Sequence, residues 1–404
     1  MFDKLRKIIS VLLIALLFWV EISSLYVQAE PPEGENADKV QITAPAAVLM
    51  EATTGQVIYE KNSSEIRSPA SITKIMTMLL AMEALEKNEI TLSDEVVTSE
   101  YAASMGGSQV YLEMGEVQTV ETLLKCIAVA SGNDASVALA EHISGTEEAF
   151  VALMNLRAEQ LGMFNTHFMD CCGLSDSSEH YTTAGDVAIM SRELILRFPQ
   201  IQEYTTIWME DITHVTSRGS SVFTLSSTNK LLKWYPYTTG LKTGSTSKAK
   251  YCISATAEKD GLNMIAVVLG AEEPKKRFQD AQTLLAYGFG ISDIYIDEND
   301  QSLPEYTVEN GVKDFVLLEY EKEFRYLDMT GKRLDAIEKQ IYVEEPLQAP
   351  LEKGQSVGRA VYVLEGEEIG SVDILSAETI EKAGYKDYLL RSFEHFLLGE
   401  SMVQ

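Results

Sequence analysis

Basic residues are scarce in this chain: 33 lysines and arginines stand against 61 aspartates and glutamates, for a formal net charge of −28. A surface of that sign repels phosphate backbones and excludes nucleic-acid binding as a role. The acidic tracts themselves read as solvated faces. Histidine is rarer still, with five copies, and no Cys/His cluster occurs at ligand spacing. No metal and no cofactor are therefore expected. Four cysteines in 404 residues do not make a disulfide framework. Cys126 and Cys252 lie in apolar stretches as small buried hydrophobes, while a bridge between the neighbours Cys171 and Cys172 would strain the peptide between them. Internal repeats and low-complexity tracts are absent from the sequence.

The apolar run from Ile8 to Val20 is 13 residues long, short of the roughly 20 that span a bilayer as a helix. Lys4, Arg6 and Lys7 precede it, and Val27-Gln28-Ala29 puts small side chains where a signal peptidase requires them. Residues 1–29 thus read as a secretory signal, with an uncleaved anchor as the other reading, and the chain is expected to be exported. Residues 30–42, with Pro31 and Pro32, read as a polar leader.

What remains is ordinary globular material, 46% hydrophobic, and long enough for about two domains. AAVLMEATTGQVIYEKN is a hairpin candidate turning at Thr54-Gly55. SITKIMTMLLAMEALEKN is apolar almost all round, as a buried helix would be. Residues 120–143 and 146–162 and the stretch TTAGDVAIMSRELILRF carry the helical period. YCISATA and LNMIAVVLG, joined across Asp260-Gly261, predict an interior β-hairpin, and a helix follows from about Lys275 to Tyr287. Residues 293–375 show short alternating segments of an all-β domain without a catalytic constellation, and 376–398 turns helical again, with Tyr385, Tyr388, Leu389, Phe393, Phe396 and Leu397 spaced by threes and fours.

Three short motifs carry chemistry. Ser71-Ile72-Thr73-Lys74 opens the buried helix, and a spacing of three puts hydroxyl and amine on one face. Burial can lower a lysine's pKa until it serves as the base that a serine nucleophile needs. The backbone N–H groups at that helix start suit an oxyanion. Ser227–Lys230, Ser245–Lys248 and Ser247–Lys250 share the spacing, but only Ser71 opens a long apolar helix. Ser131-Gly132-Asn133 supplies a hydroxyl that can relay a proton and an amide that can hold a substrate backbone, although Ser227-Thr228-Asn229 matches the same pattern. Lys242-Thr243-Gly244 occurs once, before the YCISATA strand, where a lysine and a hydroxyl on a strand edge can grip a carboxylate.

In this order the motifs are the signature of penicillin-binding proteins and serine β-lactamases. The stretches RSPASITKIMT, VASGNDASVALAEHISG, LGMFNTHFMDCCGLSD, HYTTAGDVAIMSREL and TGLKTGSTSKAKYC resemble the low-molecular-mass penicillin-binding proteins, the serine D-Ala-D-Ala carboxypeptidases. The resemblance is strong over residues 43–290 and looser over the β segment containing LEKGQSVGRAVYV. It implies an α/β (α+β) transpeptidase-like fold, an antiparallel sheet flanked by helices, with the site between the edge carrying Lys242 and the helix carrying Ser71. A β-rich domain (293–375) and a C-terminal amphipathic helix (376–404), placed by this family at the membrane interface, would follow.

The resemblance further implies Ser71 as nucleophile on a stem peptide ending in D-Ala-D-Ala, Lys74 as base and Ser131 as proton shuttle. Asn133, Lys242, Thr243 and Gly244 would bind substrate, and the N–H groups of Ser71 and Ser245 would form the oxyanion hole. β-Lactams would acylate the same serine. Ala249-Lys250 and Asp170-Cys171 depart from the family pattern outside the motifs. A class A β-lactamase would need a Glu-x-x-Leu-Asn segment, and Glu193-Leu194-Ile195-Leu196 is followed by Arg197 instead. The motifs are also compatible with a non-catalytic cell-wall scaffold that binds penicillin and with a D,D-endopeptidase.

Overall fold

The structure is a computed structural model that describes residues 40–398. The expected signal and most of the leader lie outside the described residues. Among those described, five strands form one antiparallel sheet in the order β2-β1-β7-β6-β5. They are β1 (Ala46–Glu51), β2 (Val57–Lys61), β5 (Thr238–Thr246), β6 (Lys250–Lys259) and β7 (Leu262–Ala271). Both expected hairpins form. The second turns through Asp260 and Gly261, each at positive φ (52° and 79°), the two-residue turn whose twist matches a hairpin.

Side chains alternate across this sheet, and the register decides which face Lys242 takes. Val48, Val267, Ser254 and Lys242 are successive cross-strand partners and so share one face. That face meets α5 (Ala184–Arg197), where Ser191 Oγ lies 2.8 Å from Ser254 Oγ. α6 (Pro274–Ile291) covers the other face, with Gly288 set against Leu49 and Met264 so closely that a Cβ would stand 2.9 Å from Leu49. This helix runs beyond the expected Lys275–Tyr287 at both ends.

On the helical side, α1 (Lys74–Glu86) is buried along nearly its whole length, as its apolar sequence requires. Two arginines tie it to its neighbours α4 (Glu147–Gln160) and α5. Arg157 donates to Glu83 (2.8 Å) and Glu193 (2.6 Å), and Arg197 to Glu83 (2.9 Å). One sequence expectation fails here. The helical period over 120–143 is not one helix but α2 (Val120–Lys125), a wide turn over Cys126–Ala130, and α3 (Asn133–Ser144). The break falls at Ser131, whose φ of 62° no continuing helix accommodates. The apolar residues across the turn are buried and keep the hydrophobic period running through it, which hides the break.

An exposed hairpin, β3 (Met209–Thr216) and β4 (Gly219–Ser226), escapes the sequence reading altogether. Its strands are rich in Ser and Thr and bury few side chains, so no clean alternation marks them.

Beyond α6 the chain builds short strands: β8 (Asp293–Asp297) pairs with β10 (Phe324–Asp328), and β9 (Leu318–Tyr320), β13 (Glu367–Ser376), β12 (Ser356–Leu364) and β11 (Glu338–Val343) form a sheet in that order. Tyr362 organises their core. Its ring stacks on Phe324 with centroids 3.7 Å apart, and its hydroxyl lies 3.0 Å from Asp297 Oδ2 and 2.8 Å from Asn299 Oδ1. The final helix, α7, covers Tyr385–Leu398 and does not begin at Ser376. Ser376 ends β13, Ile380 is fully buried and bridges to Leu351, and Lys382 bridges to Gly311, so 376–384 is a strap across the β segment.

Replacing Tyr362 with Phe keeps the stack and removes the hydroxyl bonds. Denaturant unfolding is expected to show a loss of about 1 kcal/mol, because Asp297 and Asn299 are only half-buried and keep Lys339 as a donor. Benzylpenicillin acylation should be unaffected.

Candidate active site

The sheet edge and the start of α1 meet at glycine. Ala70–Thr73 form a 3₁₀ turn that feeds into α1 at Lys74. Gly244 on the edge strand β5 lies against that turn: a Cβ there would stand 2.9 Å from Pro69 O and 3.0 Å from Ser71 N. No larger residue fits at this position without displacing backbone. Ser71 is thereby held beside the Lys242-Thr243-Gly244 edge, half-buried and open to solvent on one side.

Lys74 is completely buried. Its Nζ lies 3.1 Å from Ser71 Oγ, 2.6 Å from Asn133 Oδ1 and 2.7 Å from Cys172 O. The last two atoms can only accept. A neutral amine has two protons for them and one lone pair, which is left for the Ser71 hydroxyl. Burial lowers the Lys74 pKa toward that neutral form, while the Asp170 and Asp134 carboxylates pull the other way. The arrangement can take the proton of Ser71 Oγ and keep it.

Each acceptor is itself held. Asn133 Nδ2 donates to Gly106 O (2.7 Å) and Asn133 N to Ser108 O (2.7 Å), which fixes the amide with its oxygen toward Lys74. The Cys172 carbonyl is presented by a loop wrapped around the Asp170 carboxylate, which accepts from the backbone of Cys172 (2.9 Å), Gly173 and Ser175 (2.6 Å). A second proton on His180 would lower the Asp170 pKa, and those N–H bonds lower it in any case, against the effect of its burial.

Lys242 is also buried, and its Nζ donates to Ser131 Oγ at 2.8 Å and Thr243 O at 3.1 Å. Burial pushes its pKa well down, reinforced by the positive charges of Lys74 and Arg277. The left-handed backbone at Ser131 turns that residue away from the helix and toward Lys242. Thr243 Oγ1 donates to Thr228 Oγ1 (2.7 Å), and Ser245 follows Gly244 at the exposed end of the same strand.

The structure thus gathers Ser71, Lys74, Asn133 and the Ser131–Lys242 pair around one turn, with Thr243, Gly244 and Ser245 along the adjoining edge. It also adds participants that the motifs do not contain. Thr228 lies inside the second Ser-x-Asn match: Asn229 pins the start of β5, its Nδ2 donating to Gly240 O (2.9 Å), Ser227 Oγ accepts from Asn229 N (3.2 Å), and Thr228 reaches Thr243. Arg277 stands behind the edge strand, donating to Gly244 O (3.0 Å), with no acidic partner among the described residues. The carbonyls of Cys172 and Gly106 have no side-chain signal at all. All four cysteines are free and buried, and no cluster of three metal-ligating side chains occurs among the described residues.

A buried Ser-x-x-Lys turn facing a Lys-Thr-Gly strand edge, in a sheet flanked by helices, defines a serine-type hydrolase with the penicillin-binding-protein fold. Residues 32–273 match the family model described as D-alanyl-D-alanine carboxypeptidase, and 295–382 match the penicillin-binding protein 5 C-terminal domain. The D-alanyl-D-alanine carboxypeptidase DacF of Bacillus subtilis (strain 168) is 40% identical over 389 residues, which cover 96% of this chain and 98% of that protein. Penicillin-binding protein 5 of Haemophilus influenzae superposes with a TM-score of 0.71 at 31% identity, over 88% of this chain and 100% of that one. Penicillin-binding protein D2 of Listeria monocytogenes, solved in an ampicillin-bound form, matches 61% of this chain and 98% of its own at 31% identity and a TM-score of 0.54. The chain belongs to the serine D-alanyl-D-alanine carboxypeptidase family.

A Lys74 amine serving as the base for Ser71 would need its lone pair free, so protonation as the pH falls through its depressed pKa would stop proton uptake from Ser71. The acylation rate is expected to rise with pH, with an inflection below the ordinary lysine range. Asn133→Ala removes one of the two carbonyl acceptors, and stopped-flow acylation by a chromogenic β-lactam should be slower by about two orders of magnitude.

Proposed function

We propose that the protein removes the terminal D-Ala from peptidoglycan stem pentapeptides through an acyl ester on Ser71, outside the cytoplasm at the cell wall. The observation that carries this reading is the Lys74 amine, buried between two carbonyl acceptors with its lone pair left for the Ser71 hydroxyl.

Thr243 takes the terminal carboxylate in the positive field of Arg277 behind the strand edge, and the free proton of the Asn133 amide holds the substrate backbone. Ser71 Oγ attacks the carbonyl of the penultimate D-Ala, giving its proton to Lys74. The oxyanion is met by the N–H groups of Ser71 and Ser245. As the tetrahedral centre collapses, the C–N bond breaks and Ser131, held by Lys242, delivers a proton to the departing D-Ala amine and regains one from Lys74, which returns to its neutral form. Water, deprotonated by Lys74, then hydrolyses the ester and frees the shortened stem.

A β-lactam opens on the same serine, in keeping with the ampicillin-bound state of the Listeria relative. The cellular location rests on the two ends of the chain. Tyr385, Tyr388, Leu389 and Phe393 are exposed on α7, a spacing that lays an apolar stripe along one side. No described helix is long and apolar enough to cross a membrane. α7 lies in the membrane interface, and residues 1–29 direct export.

Intact-mass measurement after benzylpenicillin treatment should show one penicilloyl group on the wild-type chain and none on Ser71→Ala, with D-Ala release from a pentapeptide lost in step. A folded wild type without an adduct would remove Ser71 as the nucleophile. Removing residues 385–404 should abolish co-sedimentation with phospholipid vesicles, and unchanged sedimentation would show that α7 serves only its own protein.

A further inference from the structure

His180 opens the stretch HYTTAG, and none of the acyl chemistry above draws on it. It is 1% exposed, with both ring nitrogens bonded. Met169 N–H donates to Nδ1 at 2.9 Å. A backbone amide can only donate, so Nδ1 carries the lone pair and the proton resides on Nε2. Nε2–H then donates to Thr73 Oγ1, 2.9 Å away. The Thr73 hydroxyl turns its own proton to Ala70 O at 2.8 Å. Every bond in this relay has one allowed direction: amide to imidazole, imidazole to hydroxyl, hydroxyl to carbonyl.

The carbonyl at its end belongs to the peptide whose N–H is that of Ser71. Ala70 holds φ at 48°, in the left-handed region that a residue with a Cβ avoids. Something must hold it there. On one side Gly173 approaches so closely that a Cβ would fall 1.8 Å from Ala70 O, and on the other Gly244 closes on Ser71 N. These contacts limit where the peptide can go, but only the Thr73 hydroxyl bonds its carbonyl from a side chain.

We infer that His180 is a positioning residue for the oxyanion hole: by donating to Thr73 it fixes that hydroxyl on Ala70 O and so sets the Ala70–Ser71 peptide with the Ser71 N–H aimed at the developing oxyanion. The inference rests on Ser71 being the nucleophile. Chains of hydrogen bonds reinforce one another, so a hydroxyl that accepts from an imidazole is also the better donor. The imidazole must be neutral, because a proton on Nδ1 would face the Met169 N–H. Burial favours this by lowering its pKa, with His167 and Lys248 acting in the same sense and Asp170 opposing.

Two isosteres separate the two nitrogens. In His180→Gln the side-chain amide reaches the Nε2 position and can still donate to Thr73. In His180→Asn it reaches only the Nδ1 position and can still accept from Met169. Thr73→Val removes the hydroxyl while leaving His180 in place, and Thr73→Ser restores it. The full-length variants are compared for benzylpenicillin acylation, for kcat and KM of D-Ala release, and for melting temperature. His180→Asn and Thr73→Val should lower the acylation rate and kcat about ten-fold, with KM little changed. His180→Gln and Thr73→Ser should recover most of the rate. Equal losses in the Asn and Gln variants, following their melting temperatures, would overturn the inference and reduce His180 to loop packing, as would wild-type rates in Thr73→Val. A wild-type chain that takes no penicilloyl group fails at the earlier step and refutes the Ser71 reading instead.

Discussion

Burying the Lys74 amine away from bulk solvent imposes the constraint that organises this structure. A buried ammonium is costly, and the protein meets that cost by favouring the neutral form and giving its two protons fixed carbonyl acceptors. Asn133 and Cys172 are far from Lys74 in sequence, so each acceptor must be delivered by an element with its own anchor. For Asn133 that anchor is the 106–108 loop. For Cys172 it is the turn around Asp170. Loss of either leaves Lys74 with a proton and nowhere to put it.

A second lysine in the same interior tightens that constraint. Lys242 is buried beside Lys74 and Arg277, and its burial, reinforced by those two basic neighbours, drives its amine toward neutrality. Arg277, which keeps its charge, supplies a lasting positive field behind the strand edge. That field is local, because the chain as a whole is strongly acidic. A carboxylate approaching this edge meets a local positive charge on an otherwise acidic protein.

Backbone conformations that side chains dislike recur around the site. Ala70 and Ser131 both sit at positive φ, one just before Ser71 and the other at the hydroxyl that meets Lys242. Residues held this way persist only where the surroundings over-determine them. Gly173 and Gly244 press on the first, and the wide turn before Ser131 with the anchored loop at Asn133 fixes the second. The β segment beyond α6 shows no such strain near a reactive group; its organising feature is the buried Tyr362 with its polar partners.

Much of this was legible in the chain. The hairpins at Thr54-Gly55 and Asp260-Gly261, the buried helix after Ser71 and the three motifs follow from period, turn chemistry and spacing, because those signals act between near neighbours. The β3–β4 hairpin was not legible, since its buried face carries Glu210 and His214 beside Ile212 and so shows no apolar period, and the break at Ser131 was masked by apolar residues that are buried on either side of it. The sequence by itself determined which residues are chemically capable, and that Ser71 and Lys74 share one turn. Folding in three dimensions decided that Cys172 and Gly106 lend their carbonyls, that Thr228 is the residue of its Ser-Thr-Asn stretch that meets Thr243, and that His180 can hold a single proton on a single nitrogen. Backbone carbonyls are the same at every position, and a tautomer is set by neighbours, so neither is written in a residue's identity.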